Sequence, residues 1–593
     1  MADATSDKIE TAHIDAVERA SSDDEVISNS DEKIIRQLET TGEEIGMTWR
    51  TILAAVGMGM CYNAYLFTLL IPPSILSYIN AELGPDPRYT WITISWNLGG
   101  AIFVTVGGRL SDIFGRRYFF LCGSVILIIG SIVSATGQSI NQMIAGGALF
   151  GAGSGFLEMS FGAVQEIVPN EWRMTTIGLF DASSVIAQLM PLISWAIIKN
   201  TSNWRIPYYI MIGFQCFNLV YLFIFYHPPT FETKHSADRK SKRELFMGFD
   251  WLGLFLFIAG CTLFICGVSW GGTLHPWTSA TSIAPIVIGF FTLVGLGLYE
   301  AYGKVNEPLL PPRLFNQIRH FLMPMICMAI TGMQYYSNAT LWPRLSQLLY
   351  AGDEISKGLY SEVLPLGSVI GGIVITGSKR LGHQRWQIFG AIALQTACVG
   401  AMSTATLHNP VKSIILTFFI SLCTSLVILN SLVLIGFGII YQTDIGTAAG
   451  LAGTARLLAG AVATAIFSNV TNNKYANSLA AAVTKNVSAL GSSFPSSSLT
   501  ALIAAAKLGT PAAYEAVPGI TPQVQAAAAL GNKEAYLTGA HLSYEVALAF
   551  GLCGCIAALF IPSIDGRKYT KKTVALQEAD RKALETHEKE VSA

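Results

Sequence analysis

Apolar runs long enough to cross a bilayer core of about 30 Å as helices recur along most of this chain, separated by short polar links. A span-length window predicts about fourteen such helices. Their centres lie near Asn63, Phe103, Leu127, Gly153, Ile186, Leu219 and Gly260, then Thr292, Ile330, Ser368, Leu394, Ser425, Leu457 and Gly551. Backbone polar groups in lipid must be satisfied within the chain, so the expectation is an all-α polytopic membrane protein.

The breaks in the pattern divide the chain. Residues 1–46 are rich in Asp, Glu and Ser and predict a disordered acidic cytosolic tail. Residues 47–226 form a six-helix half, 227–248 a basic cytosolic loop, and 249–302 two additional helices. Residues 303–470 hold the first five helices of a second half, and 541–562 its last helix. Between them, 471–540 is rich in Ala and Ser and predicts an extracellular loop with short amphipathic helices. Residues 563–593 predict a second cytosolic tail.

Composition agrees with the pattern. The chain has 593 residues, 51% hydrophobic and 13% charged, against about 25% charged in a soluble domain. A net charge of -1 gives no basic surface for nucleic acid. The 10 cysteines make no CxxC pair and no ligand-spaced cluster with histidine, so neither a metal nor a cofactor is expected. Residues before Met47 are polar and acidic, so the first span is expected to act as the targeting signal.

Basic residues set the orientation. Arg109, Arg116 and Arg117 follow span two, Lys234 to Arg243 follow span six, and Lys304, Arg313 and Arg319 follow span eight. Lys379, Arg380 and Arg385 follow span ten, and Arg567, Lys568, Lys571 and Lys572 follow the last. All share one side if both termini are cytosolic. The sequons at Asn200, Asn338, Asn469 and Asn486 then fall at or near the opposite face, as candidate glycosylation sites.

The link Gly108-Arg109-Leu110-Ser111-Asp112-Ile113-Phe114-Gly115-Arg116-Arg117 joins spans two and three. Its glycines permit a tight connection and its arginines hold it in the cytosol. It resembles the signature loop of the major facilitator superfamily, matched at Gly108, Asp112, Gly115, Arg116 and Arg117. The resemblance implies a conformational latch made of these residues. After span ten, Lys379 to Arg385 faintly echoes the same loop, with Gly382 at the place of Gly115, as in a duplicated transporter.

Further motifs narrow the family. Trp96-Asn97-Leu98-Gly99, Glu166-Ile167-Val168-Pro169 with Arg173, Trp204-Arg205 and Pro228-Pro229-Thr230-Phe231 look like the fungal trichothecene efflux pump family. So do Ser269-Trp270-Gly271-Gly272, Pro276-Trp277, Tyr299-Glu300, Pro311 and Leu314-Phe315. Fungal siderophore–iron transporters are similar in layout. The resemblance implies the major facilitator fold: two six-helix halves plus two extra helices. Two positions depart from the wider drug/proton antiporter pattern: Gly147 stands where many carry an arginine, and Met190-Pro191-Leu192-Ile193 keeps only the proline of the span-five motif.

Ionisable groups inside membrane helices are costly and mark function by default. Glu158 in span four and Asp181 in span five are the candidate proton carriers; Ser154, Glu158, Phe161 and Gln165 fall near one helical face. Arg456 in span thirteen is the clearest intramembrane cation, suited to a carboxylate partner or an anionic substrate. Asn63, Tyr65, Gln188, Gln334 and Arg456 are the candidate substrate contacts. Tyr62, Gln215, Asn218 and Asn338 offer further hydrogen bonds, and Trp96, Tyr335 and Tyr336 apolar walls.

The expected protein is a multi-pass plasma-membrane secondary transporter, monomeric, whose partners are the lipid bilayer, protons and a small-molecule substrate. Proton-coupled efflux of an amphipathic fungal metabolite or toxin is the first reading, proton-coupled import of a ferric siderophore the second, and a non-transporting sensor the third. No catalytic motif supports an enzyme, and no nucleotide-binding segment supports ATP drive.

Overall fold

A computed structural model describes residues 49–562, apart from 85, 169, 228–246, 272–274, 304–307, 379–380, 439–444, 491–494, 496–497 and 509–510. The expected tails at 1–46 and 563–593, and most of the basic loop at 227–248, lie outside the described residues.

Every predicted centre falls inside a helix. The first half comprises α1 (Trp49–Ser74), α2 (Trp91–Phe114), α3 (Arg116–Ala135), α4 (Ile140–Glu158) and its continuation α5 (Ser160–Ile167). It continues with α6 (Asn170–Ala182), α7 (Val185–Gln188), α8 (Met190–Thr201) and α9 (Ile206–Phe225). Helices α10 (Trp251–Trp270) and α11 (Ala280–Tyr302) follow. The second half comprises α12 (Met323–Leu349), α13 (Glu354–Ser378), α14 (Gln384–Met402), α15 (Pro410–Gly438) and α16 (Ile445–Ser488). It ends with α17 (Leu499–Leu508), α18 (Pro511–Glu515) and α19 (Pro522–Leu559).

Among the described residues, 10 helical stretches are long and apolar enough to cross a membrane. Helices α2, α4, α12 and α14 fall outside that set. Their sequences explain it: α2 and α4 exchange large side chains for glycine, serine and threonine where they meet. On α4, Gly151 lies against the α2 backbone, where a Cβ would come 2.9 Å from Gly100 N. One turn on, a Cβ at Gly155 would come 2.7 Å from Val104 N. Such small-residue stripes let membrane helices approach through backbone contact instead of apolar bulk.

The halves meet where α16 packs on α2 and where α13 packs on α6 and α8. Gly450 of α16 packs on α2 at Val104 and Gly108, and Thr454 Oγ1 donates to Ala101 O at 3.1 Å. Gly178 of α6 faces Gly372 of α13, while Gly358 of α13 faces Leu192 and Trp195 of α8. Helices α10 and α11 lean on α2 through a cluster that joins Ile102 and Val106 to Phe257, Cys261 and Leu296. Their other faces expose Phe255, Ile288 and Phe291, as a lipid-facing surface does.

The segment expected as a loop at 471–540 is largely helical instead. Helix α16 runs for 44 residues and α19 for 38, about 66 Å and 57 Å at 1.5 Å per residue. Both outrun a bilayer core, and their extensions pair. Tyr475 OH donates to Asn532 Oδ1 at 2.7 Å, and Asn486 Nδ2 to Glu534 Oε2 at 2.9 Å. Leu479, Val483, Leu502, Val517 and Val524 form a separate apolar core there. Alanine is the strongest helix former, and this small core supplies the packing that alanine-rich helices need. The resulting helical cap lies at the end of the bundle opposite the Gly108–Arg117 link, since α2 and α16 run antiparallel.

Candidate functional site

Charged and polar groups from both halves converge at the centre of the bundle. Arg456 of α16 makes an ion pair with Glu158, the last residue of α4. The partners are 7% and 5% exposed, so neither charge has bulk water to fall back on. Glu158 Oε2 and Arg456 Nε have no further partner among the described residues. The α4 helix breaks at Met159 before α5 begins, which places the carboxylate at a helix end. The guanidinium also lies over the Tyr336 ring, 5.9 Å from its centroid.

The second carboxylate, Asp181, closes α6, where the fifth span is interrupted before α7. It is buried, and its Oδ1 accepts from Tyr62 OH at 2.9 Å. One turn along α1, Tyr65 OH shares a hydrogen bond of 3.0 Å with Tyr336 OH of α12. Thr68, the next polar residue on that face, bonds Ser154 at 2.8 Å and accepts from Trp96 Nε1 at 3.0 Å. Rings pack round these hydroxyls: Tyr62 stands 4.7 Å from Phe161 and 5.3 Å from Phe180, centroid to centroid. Tyr62, Tyr65, Phe161, Asp181, Tyr336 and Arg456 line a chamber with Ser368, Thr424 and Ser425, and Arg456 shares an adjoining smaller cavity with Glu158. The combined chemistry is an aromatic box with hydroxyl donors, one carboxylate–guanidinium pair and one hydrogen-bonded carboxylate. Outside the spans, the Arg88 guanidinium beside Asp86 holds that carboxyl below its ordinary range.

The expected residues separate here. Glu158, Asp181, Tyr65 and Arg456 are brought together. Asn63 is not a chamber residue: its Nδ2 donates to Gly59 O of its own helix at 2.9 Å. Gln188 lies in α7, where its Nε2 reaches only Ser184 at 3.4 Å. Gln334 sits beside Tyr335 but on another face of α12, in a small cavity within the second half lined by Asn338, Phe467 and Tyr544. The hydroxyl-bearing Ser368, Thr424 and Ser425 were missed; the adjacent pair Thr424-Ser425 inside a long apolar run was the available signal. Gln165 lies near Gly436 rather than in the chamber wall.

The sequons also separate. Asn200 is exposed at the end of α8. Asn338 is 3% exposed and accepts from Tyr544 OH, and Asn469 is 3% exposed and donates to Gly271 O at 2.6 Å. Neither can receive a glycan in this packing. Asn486 is half-buried and committed to Glu534.

At the link, Gly115 has φ 96°, a left-handed conformation that glycine adopts without strain. It ends α2 and lets α3 begin at Arg116, which is buried. Arg117 Nη2 donates to Phe223 O at 2.8 Å, tying the link to α9. Gly108 lies under Gly450. The side chains of Arg109 and Asp112 lie outside the described residues, as do Lys379 and Arg380. Gly147, where the antiporter pattern carries an arginine, faces α2 so closely that a Cβ would come 2.6 Å from Ser95 Oγ. The tight α2–α4 contact leaves no room for that side chain.

Residues 17–592 match the family model described as "Fungal trichothecene efflux pump (TRI12)". The chain is 30% identical to the trichothecene efflux pump TRI12 of Fusarium sporotrichioides over 87% of its own length and 86% of the relative's. It is 28% identical to the MFS-type transporter prx5 of Penicillium rubens over 91% and 96%. Among solved structures, the proton:xylose symporter XylE superposes with a TM-score of 0.53 at 14% identity, over 88% of this chain and 98% of that one. This last likeness concerns the fold alone.

Proposed function

The chain belongs to the fungal trichothecene efflux pump family of major facilitator transporters, and on that premise we propose that it exports an amphipathic, oxygen-rich fungal metabolite, trichothecene-like, in exchange for protons. It is a multi-pass membrane transporter and not an enzyme. In this reading about fourteen helices span the plasma membrane, both termini are cytosolic, and the helical cap lies outside.

The observation that carries the reading is the Arg456–Glu158 pair, made across the two halves beside the aromatic chamber that Arg456 lines. A buried pair is costly to break by losing one charge. A proton delivered to Glu158 removes that charge and frees the guanidinium. Arg456 and the Tyr65 and Tyr336 hydroxyls then offer hydrogen bonds to ligand oxygens, while the rings cover its apolar body. Proton loss restores the pair and draws the halves together, expelling the ligand. Asp181, held by Tyr62, sits on the same chamber and serves as the neighbouring proton site. Asp112, Arg116 and Arg117 with Gly108 and Gly115 act as the latch at the other end, breaking and re-forming as the halves rock.

The test is uptake of a labelled trichothecene into inside-out vesicles under an imposed pH gradient. Accumulation that follows the gradient and collapses with a protonophore is expected. Gradient-independent equilibration, with no accumulation, would refute proton-coupled export.

A further inference from the structure

A second cavity lies between the central chamber and the cap. It is walled by Leu69 and Pro73 of α1, Thr93 and Asn97 of α2, and Thr340 and Pro343 of α12. Prolines on four surrounding helices face it, Pro73, Pro191, Pro343 and Pro365. Prolines inside membrane helices bend them and hold neighbouring helices apart.

Two stripes at helical spacing run the length of this vestibule. Thr93 and Asn97 make one; Tyr336 and Thr340 make the other, with the exposed Arg344 one turn beyond Thr340 on the same helix. Tyr336 closes the floor and, through Tyr65, separates the vestibule from the chamber. Asn97 is 3% exposed, and its Oδ1 lacks a partner among the described residues, as does Thr93 Oγ1. At the rim, the Arg344 guanidinium lies 5.2 Å from the centre of the Tyr536 ring. Tyr89 and Tyr475 lie near enough to act on its charge. Tyr536 is 2% exposed and its hydroxyl is unpartnered among the described residues. Tyr475 and Tyr536 come from the extensions of α16 and α19, and Lys533 Nζ donates to Leu349 O at 3.3 Å, fixing the cap to the end of α12.

We propose that this vestibule is a second ligand site, taking an amphiphile with an anionic head: the apolar body occupies the space between α2 and α12, and Arg344 binds a carboxylate or comparable anion at the rim. A guanidinium in a fork geometry recognises a carboxylate through two parallel hydrogen bonds. The Tyr536 ring orients Arg344 without neutralising it, and Asn97 and Thr93 await a polar group on the ligand body. Tyr336 is shared by both cavities, so Arg456 and Arg344 stand at the two ends of one path. The inference rests on the transport reading only for placing the vestibule on an exit route; binding at Arg344 does not require it.

The experiment uses the full chain in nanodiscs of neutral lipid, with 2-naphthoate as the anionic probe and 2-naphthamide as its uncharged counterpart, titrated calorimetrically. The wild-type protein is expected to bind the carboxylate at least about tenfold more tightly than the amide, a bidentate charged contact against a neutral one. Arg344→Gln should abolish that preference while leaving amide binding in place, and Arg344→Lys should keep part of it. Ala339→Trp, which fills the cavity, should weaken both probes; Thr340→Phe gives the same readout should Ala339→Trp fail to fold. A preference that survives Arg344→Gln, unaltered binding in the filled cavity, or no measurable wild-type binding would overturn the proposal. Loss of proton coupling at Glu158 leaves these results unchanged, so the two readings fail separately.

Discussion

Replacing Glu158 by glutamine tests the central pair. At a contact distance of about 3 Å and an effective dielectric of about 20, the attraction within such a pair is about 5 kcal/mol. Desolvating the two ions costs a comparable amount, several kcal/mol each, so the intact pair adds little net stability. Removing one charge is different. Glu158→Gln keeps the shape but leaves Arg456 7% exposed and unpaired, a loss of about 3–5 kcal/mol. Arg456→Leu strands Glu158 in the same way, whereas the double variant Glu158→Gln/Arg456→Leu buries no charge and should recover most of the loss. Unfolding followed by tryptophan fluorescence in nanodiscs should rank the wild type and the double variant together, above both single variants. Transport supplies a second axis. Glutamine mimics the protonated acid, so Glu158→Gln should exchange labelled for unlabelled substrate but fail to accumulate it under a pH gradient. Single variants as stable as the wild type would show that the chamber is wet enough to solvate a lone charge. Undiminished gradient-driven transport by Glu158→Gln would remove it from the coupling mechanism and shift attention to Asp181.

The remaining predictions concern the link, the surface and the packing. Asp112→Asn should lower transport several-fold with membrane abundance near normal, measured by surface labelling alongside uptake; full transport would reject the latch. If the cap is extracellular, Asn200→Gln should abolish any endoglycosidase-sensitive gel shift, whereas Asn338→Gln and Asn469→Gln should leave it in place. Gly155→Leu should prevent folding by forcing α4 off α2, while Gly213→Leu, with nothing within 4 Å of its Cβ position, should express normally; equal yields would refute the close-contact account. Cysteine accessibility in the 234–243 loop should be cytosolic, and labelling from outside would reverse the proposed orientation.

The helices were legible because lipid leaves a chain little choice: a long apolar run between polar links forms a helix. Length was not legible for α16 and α19. Beyond the bilayer, 471–540 carries no apolar signal of spanning length, and its helices hold through mutual packing of Leu479, Val483 and Val524, which no local window registers. Glu158, Asp181 and Arg456 could each be picked out by the cost of burying a charge. That Glu158 meets Arg456, 298 positions away, is a property of how the halves face each other.

The missed contacts follow a physical rule about amides in lipid. An asparagine or glutamine side chain brings both donor and acceptor capacity into a medium that offers neither, so its own or a neighbouring helix takes one of its two ends. Asn63 bonds its own helix, Asn338 is taken by Tyr544, Asn469 by Gly271, and Gln395 Nε2 donates to Thr424 at 2.9 Å. A hydroxyl on a ring or a serine has less to satisfy: Tyr62, Tyr65, Tyr336 and Ser425 can line a chamber at small cost when it is empty. A tyrosine also supplies the apolar wall that an amide lacks. In a helix bundle of this kind the better sequence signal for a ligand chamber is therefore the aromatic hydroxyl near an intramembrane charge, as Tyr62 and Tyr65 stand near Asp181 and Glu158. By the same reasoning Tyr536, which lies against Arg344 with its hydroxyl unpartnered among the described residues, is where the proposed ligand would complete the contacts.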